Sequence, residues 1–450
     1  MSTGADPAMS AEVLKRIQAE DIAHVRLVLT DLYGVARGKL VAARRMERAL
    51  TDGHPFAIPL FASNLWQRHA PGEHAYSTDI GYRNGLLALD PLTFTPLPWA
   101  PGSAQIITDL YDGAEIVATP RAVLRRVLGD AERLGLQPVF GNELEFYVFR
   151  AGPDGSGYQP ATGPQAWFSV HALGMAGEFV DELDRAADLM GLELYEIFSE
   201  HGAGQFEVNL EPCPGLLALD RVVALKIAIK EVARSLGLRA TFMTRPTNLD
   251  LTPPSGYHLH QSLLDAAGQN ALRDAGDPDG LSGLARHYVA GQLAHAPAMT
   301  ALACPTITGY KRYHKGTWAP VQVAWGIDNR TALVRALPDG DGTRIENRLG
   351  SSDANPYLLA AVMLAAGLDG IRRRLPAPEP AAENLFDVIR FPRLPSSPPE
   401  SLAALAADAQ LTEALGPLFT TTFADVLRAD WQRYLGHVSD WEISEYREML

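Results

Sequence analysis

The sequence is poor in cysteine and has no long apolar run. Only two of its 450 residues, Cys213 and Cys304, are cysteines, so we expect neither a disulfide framework nor a structural zinc site. No run reaches the roughly 18 apolar residues of a membrane span, and the N-terminus lacks the basic start and apolar segment of an export signal. These absences predict a cytoplasmic protein without a membrane partner.

The chain also lacks an excess of positive charge. Lys and Arg number 39 against 53 Asp and Glu, which gives a formal net charge of −14. This balance argues against nucleic acid as a partner, since binding to a phosphate backbone needs clustered positive charge. A chain of this length with 47% hydrophobic residues is able to bury a large core and hold two or three domains.

The sequence pattern divides the chain in two near residue 112. In the first part, HVRLVLTD and ARGKLVAA flank a short turn and predict a β-hairpin, and Pro-punctuated extended segments follow. Residues 1–112 are therefore predicted to form a small, mostly β domain with an N-terminal helix. In the second part, Thr119 is the predicted N-cap of a helix with Pro120 in its first position.

Strand-like and helical segments alternate after residue 113, so residues 113–450 are the candidate catalytic domain. The predicted strands are PVFGNELEFYVF, LELYEIF, GQFEVNL, LRATFM and YHLHQSL, and AGEFVDELDRAADLMGL and LLALDRVVALKIAIKEVARSLG are predicted helices. The Gly-rich stretch 151–164 and the Pro-rich stretch 391–401 are predicted loops.

One predicted strand, GNELEFYVF at residues 141–149, carries two carboxylates among apolar residues. Alternation along a strand directs Glu143 and Glu145 to the same face, about 7 Å apart. Like charges this close repel, and apolar surroundings raise the cost of leaving them unpaired. Either a cation neutralises the pair or the strand has one face in water, and this stretch alone fits both.

Other segments add side chains of the same chemistry. Carboxylates with a single imidazole suit hard divalent ions such as Mg²⁺ or Mn²⁺, whereas zinc sites usually hold more nitrogen or sulfur. Each residue taken alone is compatible with an ordinary surface or core position. The candidates are Glu200 and Glu207 in SEHGAGQFEVNL, His258, His260 and Ser262 in SGYHLHQSL, and Glu346 in GTRIENRLG.

These segments, in their order along the chain, resemble the signature segments of the glutamine synthetase family. The set is NELEF, SEHGAGQFEV, SGYHLHQSL, YKRYHKGTWAPVQVAWGIDNRTALVR, RIENR and ANPYLLAAVMLAAGLDGI. The resemblance implies an α+β fold in which an N-terminal β-grasp domain precedes a glutamine synthetase catalytic α/β domain. It further implies a homo-oligomer, a dodecamer of two hexameric rings, with active sites between neighbouring subunits.

The resemblance also implies two metal sites and a set of ligands for ATP and glutamate. One metal ion would bind Glu145, Glu200 and Glu207, and the other Glu143, His258 and Glu346. Glu145 would also contact the substrate. Arg312 and Arg348 would bind glutamate, and Arg330 and Arg335 would bind the phosphates of ATP. His260 and Ser262 would contact the nucleotide. Arg330 and Arg348 would also act in catalysis.

The sequence departs from the family pattern where the amine would bind. The flap segment is HKGTW, and Trp318 stands where the family has a glutamate that helps to bind and deprotonate ammonium. PLFASNL, residues 59–65, offers no counterpart of the family's ammonium-binding aspartate. The loss of two carboxylates removes the negative pocket that concentrates NH₄⁺, whereas an indole favours an alkyl chain or a cationic amine. A purely packing role for Trp318 is the alternative.

A second departure concerns the acyl substrate. Pro253 and Pro254 stand where the family has an Asn-Gly pair that contacts the amino acid, so recognition of glutamate rests chiefly on Arg312 and Arg348. We therefore expect an ATP- and Mg²⁺-dependent (or Mn²⁺-dependent) ligase that joins the γ-carboxyl of glutamate to an organic amine, a polyamine or a small monoamine, through γ-glutamyl phosphate. The alternatives are an ammonia-using glutamine synthetase with a divergent flap and a catalytically silent relative.

Phe386 generates the first testable prediction. In NLFDV it stands where the bacterial enzymes of the family carry the tyrosine that is adenylylated. A nucleotidyl transfer needs a nucleophilic oxygen, and a phenyl ring has none. Mass spectrometry after incubation with an adenylylating enzyme should show no adduct on residues 384–388, and a Phe386→Tyr variant is the matched positive control. A modified peptide from the wild-type chain would refute this prediction.

Overall fold

Two β-sheets, each covered by helices, organise the chain. The structure is a computed structural model and describes residues 6–70, 76–152, 158–163, 167–248, 253–313 and 317–450. Among these residues the first sheet contains seven strands. They are β1 (His24–Thr30), β2 (Ala36–Ala42), β3 (His54–Ala57), β4 (Asn84–Leu89), β5 (Thr95–Pro96), β6 (Ser103–Asp112) and β7 (Glu115–Ile116), with helices α1 (Pro7–Ala19) and α2 (Met46–Asp52).

The strands of the first sheet follow the order β2-β1-β6-β4-β3, and β5 and β7 both pair with β6. The predicted hairpin is confirmed, because β1 and β2 pair in antiparallel register. Asp31 stabilises its turn: one carboxylate oxygen accepts from the backbone N–H groups of Tyr33 and Val35, each at 3.0 Å. Strand β7 extends the first sheet just beyond residue 112, and the β-grasp domain at residues 1–112 stays a prediction.

The second sheet contains nine strands in the described part of the chain, in the order β10-β11-β8-β13-β16-β15-β14, with β9 and β12 paired to β8. The strands are β8 (Gln137–Ala151), β9 (Tyr158–Pro160), β10 (Leu194–Ser199), β11 (Gln205–Pro214), β12 (Leu238–Thr241), β13 (Tyr257–Leu264), β14 (Trp325–Ile327), β15 (Val334–Leu337) and β16 (Arg344–Asn347). All five strands predicted from the sequence after residue 113 are present.

Helices pack around this second sheet and form the largest hydrophobic core with it. They are α3 (Pro120–Glu132), α4 (Val170–Met175), α5 (Gly177–Leu189), α6 (Gly215–Ser235), α7 (Gly283–Ala303), α8 (Pro356–Arg373), α9 (Pro398–Ala407), α10 (Ala409–Leu415) and α11 (Pro417–Leu435). A further helix, α12 (Asp440–Tyr446), follows them and has no buried residue. None of the helices in the described ranges is long and apolar enough to cross a membrane.

Helix α3 begins as the sequence predicts and joins the two sheets. The Thr119 side chain accepts from the N–H of Ala122, and Pro120 occupies the first turn. Arg121 follows, buried, with its guanidinium 2.8 Å from Asp109 on β6 and 2.9 Å from Asp220 on α6. A buried guanidinium needs such charged partners, since an unpaired charge away from water is costly. This ion-pair cluster therefore fixes the first sheet against the helical core.

Two loop predictions need correction. Within the predicted loop 151–164, residues Tyr158–Pro160 form β9, which pairs with the C-terminal end of β8; residues 153–157 lie outside the described chain. Within the predicted loop 391–401, helix α9 begins at Pro398. Proline is favoured in the first turn of a helix because that position needs no N–H donor, so a Pro-rich segment here marks a helix start.

His295 on α7 joins three helical segments through a buried ion pair. Its Nδ1 lies 2.6 Å from Asp408, the N-cap of α10, and its Nε2 lies 2.9 Å from Asp369 on α8. Both ring nitrogens face carboxylate oxygens, an arrangement that requires the doubly protonated imidazolium. Burial lowers the pKa of His295, but the hydrogen bonds and charges of the two aspartates outweigh burial and raise this pKa above its usual value.

This arrangement predicts a pH-dependent stability. A raised folded-state pKa adds stability that is fully present below the unfolded pKa, near 6.5, and is lost as the pH rises through the folded pKa. We expect His295→Gln to lower the free energy of unfolding by roughly 1–3 kcal/mol at pH 6 and by less at pH 9. Denaturant titrations across this range measure the effect, with His24→Asn on an exposed β1 position as the control. An equal loss at both pH values would contradict the charged state assigned to His295.

Candidate active site

Strand pairing brings the sequence-predicted ligands side by side on one face of the second sheet. Across β8 and β11, Glu145 lies opposite Glu207, and across β8 and β13, Glu143 lies opposite His258. Across β13 and β16, His260 lies opposite Glu346. Residues opposite each other in neighbouring strands hold their side chains close together on the same face. Four separate sequence segments therefore converge on one carboxylate-rich surface.

Glycines permit this close approach. Gly204, at φ +72°, closes the turn between β10 and β11, and a side chain there would meet the carbonyl of Val148 at 2.5 Å. A Cβ at Gly256 would lie 2.6 Å from Arg312 and 2.9 Å from His258. Both positions therefore exclude any larger residue without displacement of the backbone or of site residues.

The converging side chains line a cavity of about 250 Å³. Its polar lining includes most of the predicted site residues, and its other end is aromatic. The residues that line it are Glu143, Glu145, Glu196, Glu200, Glu207, His201, His258, Arg312, Arg330, Arg348, Gln205, Asn209, Thr317, Pro253, Pro254, Trp167, Phe168, Phe198 and Trp318.

A larger cavity of about 910 Å³ lies elsewhere, between the β1–β2 hairpin and helix α6. Its lining is mainly apolar side chains and lysines, and it includes none of the site residues predicted from the sequence. The smaller cavity, where carboxylates, imidazoles and guanidinium groups meet, is therefore the candidate active site.

Glu143 is held between two histidines. Its Oε2 lies 3.1 Å from Nδ1 of His258, and its Oε1 lies 2.7 Å from Nε2 of His260. Glu346 is fully buried, with its Oε1 3.7 Å from Nδ1 of His258. In the described part of the chain, Glu143, His260 and Glu346 form a group whose ligand atoms all lie within 4.8 Å of one another. His260, predicted from the sequence to contact the nucleotide, is thus an additional candidate metal ligand beside His258.

Electrostatics keep this first group of carboxylates ionised. Burial raises the pKa of Glu143, but the charges and hydrogen bonds of His260 and His258 outweigh burial and hold this pKa well below its usual value. Burial and the charge of Glu143 likewise oppose ionisation of Glu346, yet Arg348, His260 and His258 lower its pKa to about 2. Two ionised, buried carboxylates beside imidazoles are a donor set that fits a divalent cation.

The second group of carboxylates lacks such compensation. Burial, and next the charge of Glu200, raises the pKa of Glu145 to about 7. Burial and the charges of Glu143, Glu145 and Glu200 raise the pKa of Glu207 well above its usual value. Like-charged oxygens that repel one another in a buried cluster are what a divalent ion would neutralise. The predicted set Glu145, Glu200 and Glu207 therefore has the chemistry of a metal site, and its assignment to one ion stays a prediction.

The four predicted arginines differ in their surroundings. Arg312 is buried and donates to the carbonyls of Arg348 and Leu349 at 3.1 and 3.2 Å, while its Nη2 lies 3.2 Å from His258. Arg348 donates to Glu346 at 2.5 Å, and its buried Nε has no partner among the described atoms. Arg330 is exposed at the cavity. These three arginines line the cavity, and their contacts with glutamate and ATP stay predictions.

Three residues predicted to contact the nucleotide lie outside the cavity lining: His260, described above beside Glu143, and Arg335 and Ser262. Arg335 donates to Glu346 at 3.0 Å and also binds Asp328 at the edge of the sheet. Ser262 is half-buried and donates to the carbonyl of Thr343 at 2.8 Å. Both are on the β13–β16 side of the carboxylates, and their contacts with a nucleotide stay predictions.

Sequence reasoning missed the aromatic end of the cavity. Trp167 and Phe168 stack with ring centroids 4.4 Å apart, and His201 stacks on Trp167 at 4.9 Å. Trp318, which the sequence singled out, lies 6.0 Å from His201 and is 55% exposed. The sequence did contain one indication of this aromatic end, because His201 directly follows the predicted ligand Glu200. Trp167 and Phe168 carry no comparable signal in the sequence, because the way in which three loops fold decides whether these residues lie near the cavity.

An acidic sheet face flanked by arginines fits the class of enzymes that bind anionic substrates beside divalent ions. The profile of the glutamine synthetase catalytic domain matches residues 117–446. This chain belongs to the glutamine synthetase family, and is an ATP-dependent ligase of that family.

Similar proteins include ligases named for an organic amine and glutamine synthetases. The gamma-glutamylethanolamide synthetase GlnA4 of Streptomyces coelicolor is 32% identical, over 99% of this chain and 97% of its own. The glutamate–methylamine ligase of Methyloversatilis universalis is 32% identical, over 99% and 100%. A glutamine synthetase of Halobacterium salinarum is also 32% identical, over 97% and 96%. The solved structure of a GmaS/ADP complex has a TM-score of 0.86 at 31% identity, covering 97% of this chain and 99% of that one.

The carboxylate cluster predicts the effect of removing one charge. Glu207→Gln keeps the shape but deletes the repulsion with Glu145 and Glu200, so we expect a higher thermal midpoint without divalent ions. The same change should weaken Mg²⁺ binding by at least about tenfold, seen as a smaller Mg²⁺-induced rise of the midpoint, and abolish turnover. Glu211→Gln, at an exposed position of the same strand, is the control. A wild-type response to limiting Mg²⁺ in Glu207→Gln would contradict the ligand assignment.

Proposed function

We propose that this chain joins the γ-carboxyl of glutamate to a primary organic amine, with ATP as the source of energy. The observation that carries this proposal is the indole of Trp318 at the cavity, where the family resemblance places an ammonium-binding glutamate. Two relatives that are similar over nearly their whole length are named for amides of organic amines, an ethanolamide synthetase and a methylamine ligase.

The first step activates the carboxylate, which by itself is a poor acyl donor. An oxygen of the γ-carboxylate attacks the γ-phosphorus of ATP, the bond to the bridging oxygen breaks, and ADP leaves. The product is γ-glutamyl phosphate, a mixed anhydride. Divalent ions, when bound, would offset negative charge on the phosphates and the carboxylates.

In the second step the neutral amine attacks the acyl carbon. The carbon–nitrogen bond forms, the bond from the acyl carbon to the phosphate oxygen breaks, and the departing inorganic phosphate takes up the proton that the nitrogen loses. Water competes with the amine for the same carbon, so the reaction needs a site that limits access of water. The aromatic end of the cavity, with Trp167, Phe168 and Trp318, supplies apolar surface for this purpose.

The arginines are suited to the anionic substrates. The buried, unpartnered Nε of Arg348 is a donor that a ligand carboxylate would satisfy, and a buried donor without a partner is costly. We assign Arg348 to glutamate on this basis, and Arg312 from the family resemblance and its place in the cavity lining. Arg330, exposed at the mouth, is placed to bind a phosphoryl group, for which the guanidinium fork is well matched.

The broader predictions from the sequence are kept as proposals. They comprise the two-domain division at residue 112, the two metal sites with their six ligands, the dodecameric homo-oligomer and the cytoplasmic location. The acidic net charge of −14 supports the absence of a nucleic-acid partner.

Ammonia is the second candidate for the amine, because a glutamine synthetase of Halobacterium salinarum is as similar to this chain as the amine ligases are. A catalytically silent role is the third. Buried carboxylates that repel one another cost stability, and a protein without a metal-dependent reaction gains nothing from keeping Glu145 and Glu207 together.

Trp318→Glu tests the choice between organic amines and ammonia. A carboxylate at this position would attract a small cation, while loss of the indole should lower kcat/KM for the best organic amine by roughly 5- to 150-fold. The kcat/KM for ammonium should stay the same or rise. Any rise should be partial, because the flap would supply a single carboxylate. The measurement is phosphate release from ATP and glutamate, with ammonium, methylamine, ethanolamine, putrescine and spermidine, for both proteins.

The controls separate the three candidates. Trp318→Phe retains an aromatic ring without adding charge and should keep the preference of the wild type. A wild type that prefers ammonium, or a Trp318→Glu variant that loses both activities in equal proportion, would overturn the organic-amine proposal. Absence of phosphate release with every amine would favour the silent role.

A further inference from the structure

Four aromatic side chains from four separate segments form one row beside the cavity. In this aromatic row, defined as Trp167, His201, Trp318 and Phe386, neighbouring ring centroids lie 4.9, 6.0 and 5.6 Å apart. The first two contacts are stacked, at interplanar angles of 26° and 29°, and the third is edge-to-face at 88°. Such geometries are favourable for aromatic pairs.

Hydrogen bonds attach the row to one carboxylate. Trp167 donates its Nε1–H to Oε1 of Glu200 at 3.1 Å. The backbone N–H of His201 donates to Oε2 of the same carboxylate at 3.1 Å, and its Nδ1 lies 3.2 Å from that oxygen. The rings are therefore positioned by the same side chain that the sequence assigns to a metal ion.

Strand register shows which end of the cavity the row occupies. On β10, Glu196 lies opposite Asn209, which itself lies opposite Glu143. Phe198, also on β10, lies opposite Glu207 on β11, and Glu200 comes directly after the end of β10. Since each pair of residues advances a strand by about 7 Å, the aromatic row lies beyond the Glu145–Glu207 level, away from Glu143 and Glu196.

Backbone strain marks the same place. Trp318 has φ +58° and Phe168, which stacks on Trp167, has φ +57°. Bulky side chains rarely adopt the left-handed region, and they stay there only where surrounding contacts fix them. His201 on one side and Phe386 on the other supply such contacts for Trp318. The row is thus held in position on both sides of the flap residue.

These features suit a ligand with a short apolar body and a single amino group. The cavity, about 250 Å³, is smaller than typical ligand pockets and must also admit part of glutamate. Among the described lining residues, Glu200 is the one carboxylate at the aromatic end, and it already accepts from Trp167 and His201. A second ammonium group at this end, as in a diamine, would have to share Glu200 with the donors of Trp167 and His201.

We infer that the aromatic row makes this enzyme select primary monoamines with a short carbon chain. Trp167 and His201 are specificity-determining residues that contact the carbon chain, and Phe386 is a positioning residue that acts through Trp318, since it does not line the cavity. This inference rests on the proposed function, and narrows its amine from polyamine or monoamine to monoamine.

The test measures kcat and KM for methylamine, ethylamine, propylamine, ethanolamine and putrescine. We expect the wild type to use its best monoamine at least tenfold better than putrescine. His201→Asn keeps a hydrogen-bonding side chain beside Glu200 but removes the ring, and should lower the propylamine-to-methylamine ratio of kcat/KM about tenfold, as expected for lost contact with methylene groups. His201→Phe keeps the ring and should retain the ratio within about threefold.

Two further variants keep the inference testable if either histidine variant is unstable. Trp167→Leu should lower the same ratio more than Trp167→Phe does. Phe386→Leu should raise KM for every monoamine several-fold with a smaller change in kcat, because it loosens Trp318 without touching the reacting atoms. A change confined to kcat would overturn the positioning role.

The outcomes separate this inference from the proposed function. If the wild type uses only ammonium, or no amine, the proposed function itself fails. If the wild type uses organic amines but prefers putrescine, or if ratios for chain length are the same in all ring variants, the proposed function survives and the aromatic selection is wrong.

Discussion

The crowding of carboxylates on one face of a buried strand is the constraint to which the rest of the site responds. Glu143 and Glu145 are fixed on the same face of β8 by the pleat, and pairing with β11 adds Glu207 opposite Glu145. On the Glu143 side, two histidines and Arg348 provide positive charge or hydrogen bonds. On the Glu145 side no such partner outweighs burial, and burial together with the charges of the neighbouring glutamates raises the pKa values of Glu145 and Glu207.

This asymmetry suggests how the two halves of the site differ. A carboxylate that is already ionised offers its lone pairs at once, whereas a protonated one must release a proton when a cation binds. Glu346, with a pKa lowered to about 2, belongs to the first kind, and Glu145, with a pKa near 7, to the second. If the two predicted metal positions each bind a cation, binding at Glu145 would release a proton near neutral pH, whereas binding at Glu346 would not.

Much of this arrangement follows from sequence, and the exceptions have physical reasons. Period-two alternation placed Glu143 with Glu145 and His258 with His260 on one face of each strand, whereas the approach of the two strands was implied by the family resemblance alone. The same alternation puts both histidines on one face, and so cannot tell which of them binds an ion. The stacking of Trp167 on His201 was not predictable, because it joins two loops whose approach depends on tertiary packing.

Hydrogen bonds to the backbone also connect the loop that contains Phe386 to the chain just after the flap. Gln322, four positions after Trp318, donates to the carbonyls of Leu385 and Val388, both at 2.7 Å, and accepts from the N–H of Arg390 at 2.8 Å. The loop is therefore held at two points: these hydrogen bonds attach it to Gln322, just after the flap, and the Phe386–Trp318 contact attaches it to the flap itself. Because the half-buried ring of Phe386 packs edge-to-face on Trp318, a bulky adduct on a residue at position 386 would compete with this contact, so support of the flap and covalent modification are competing uses of the same position.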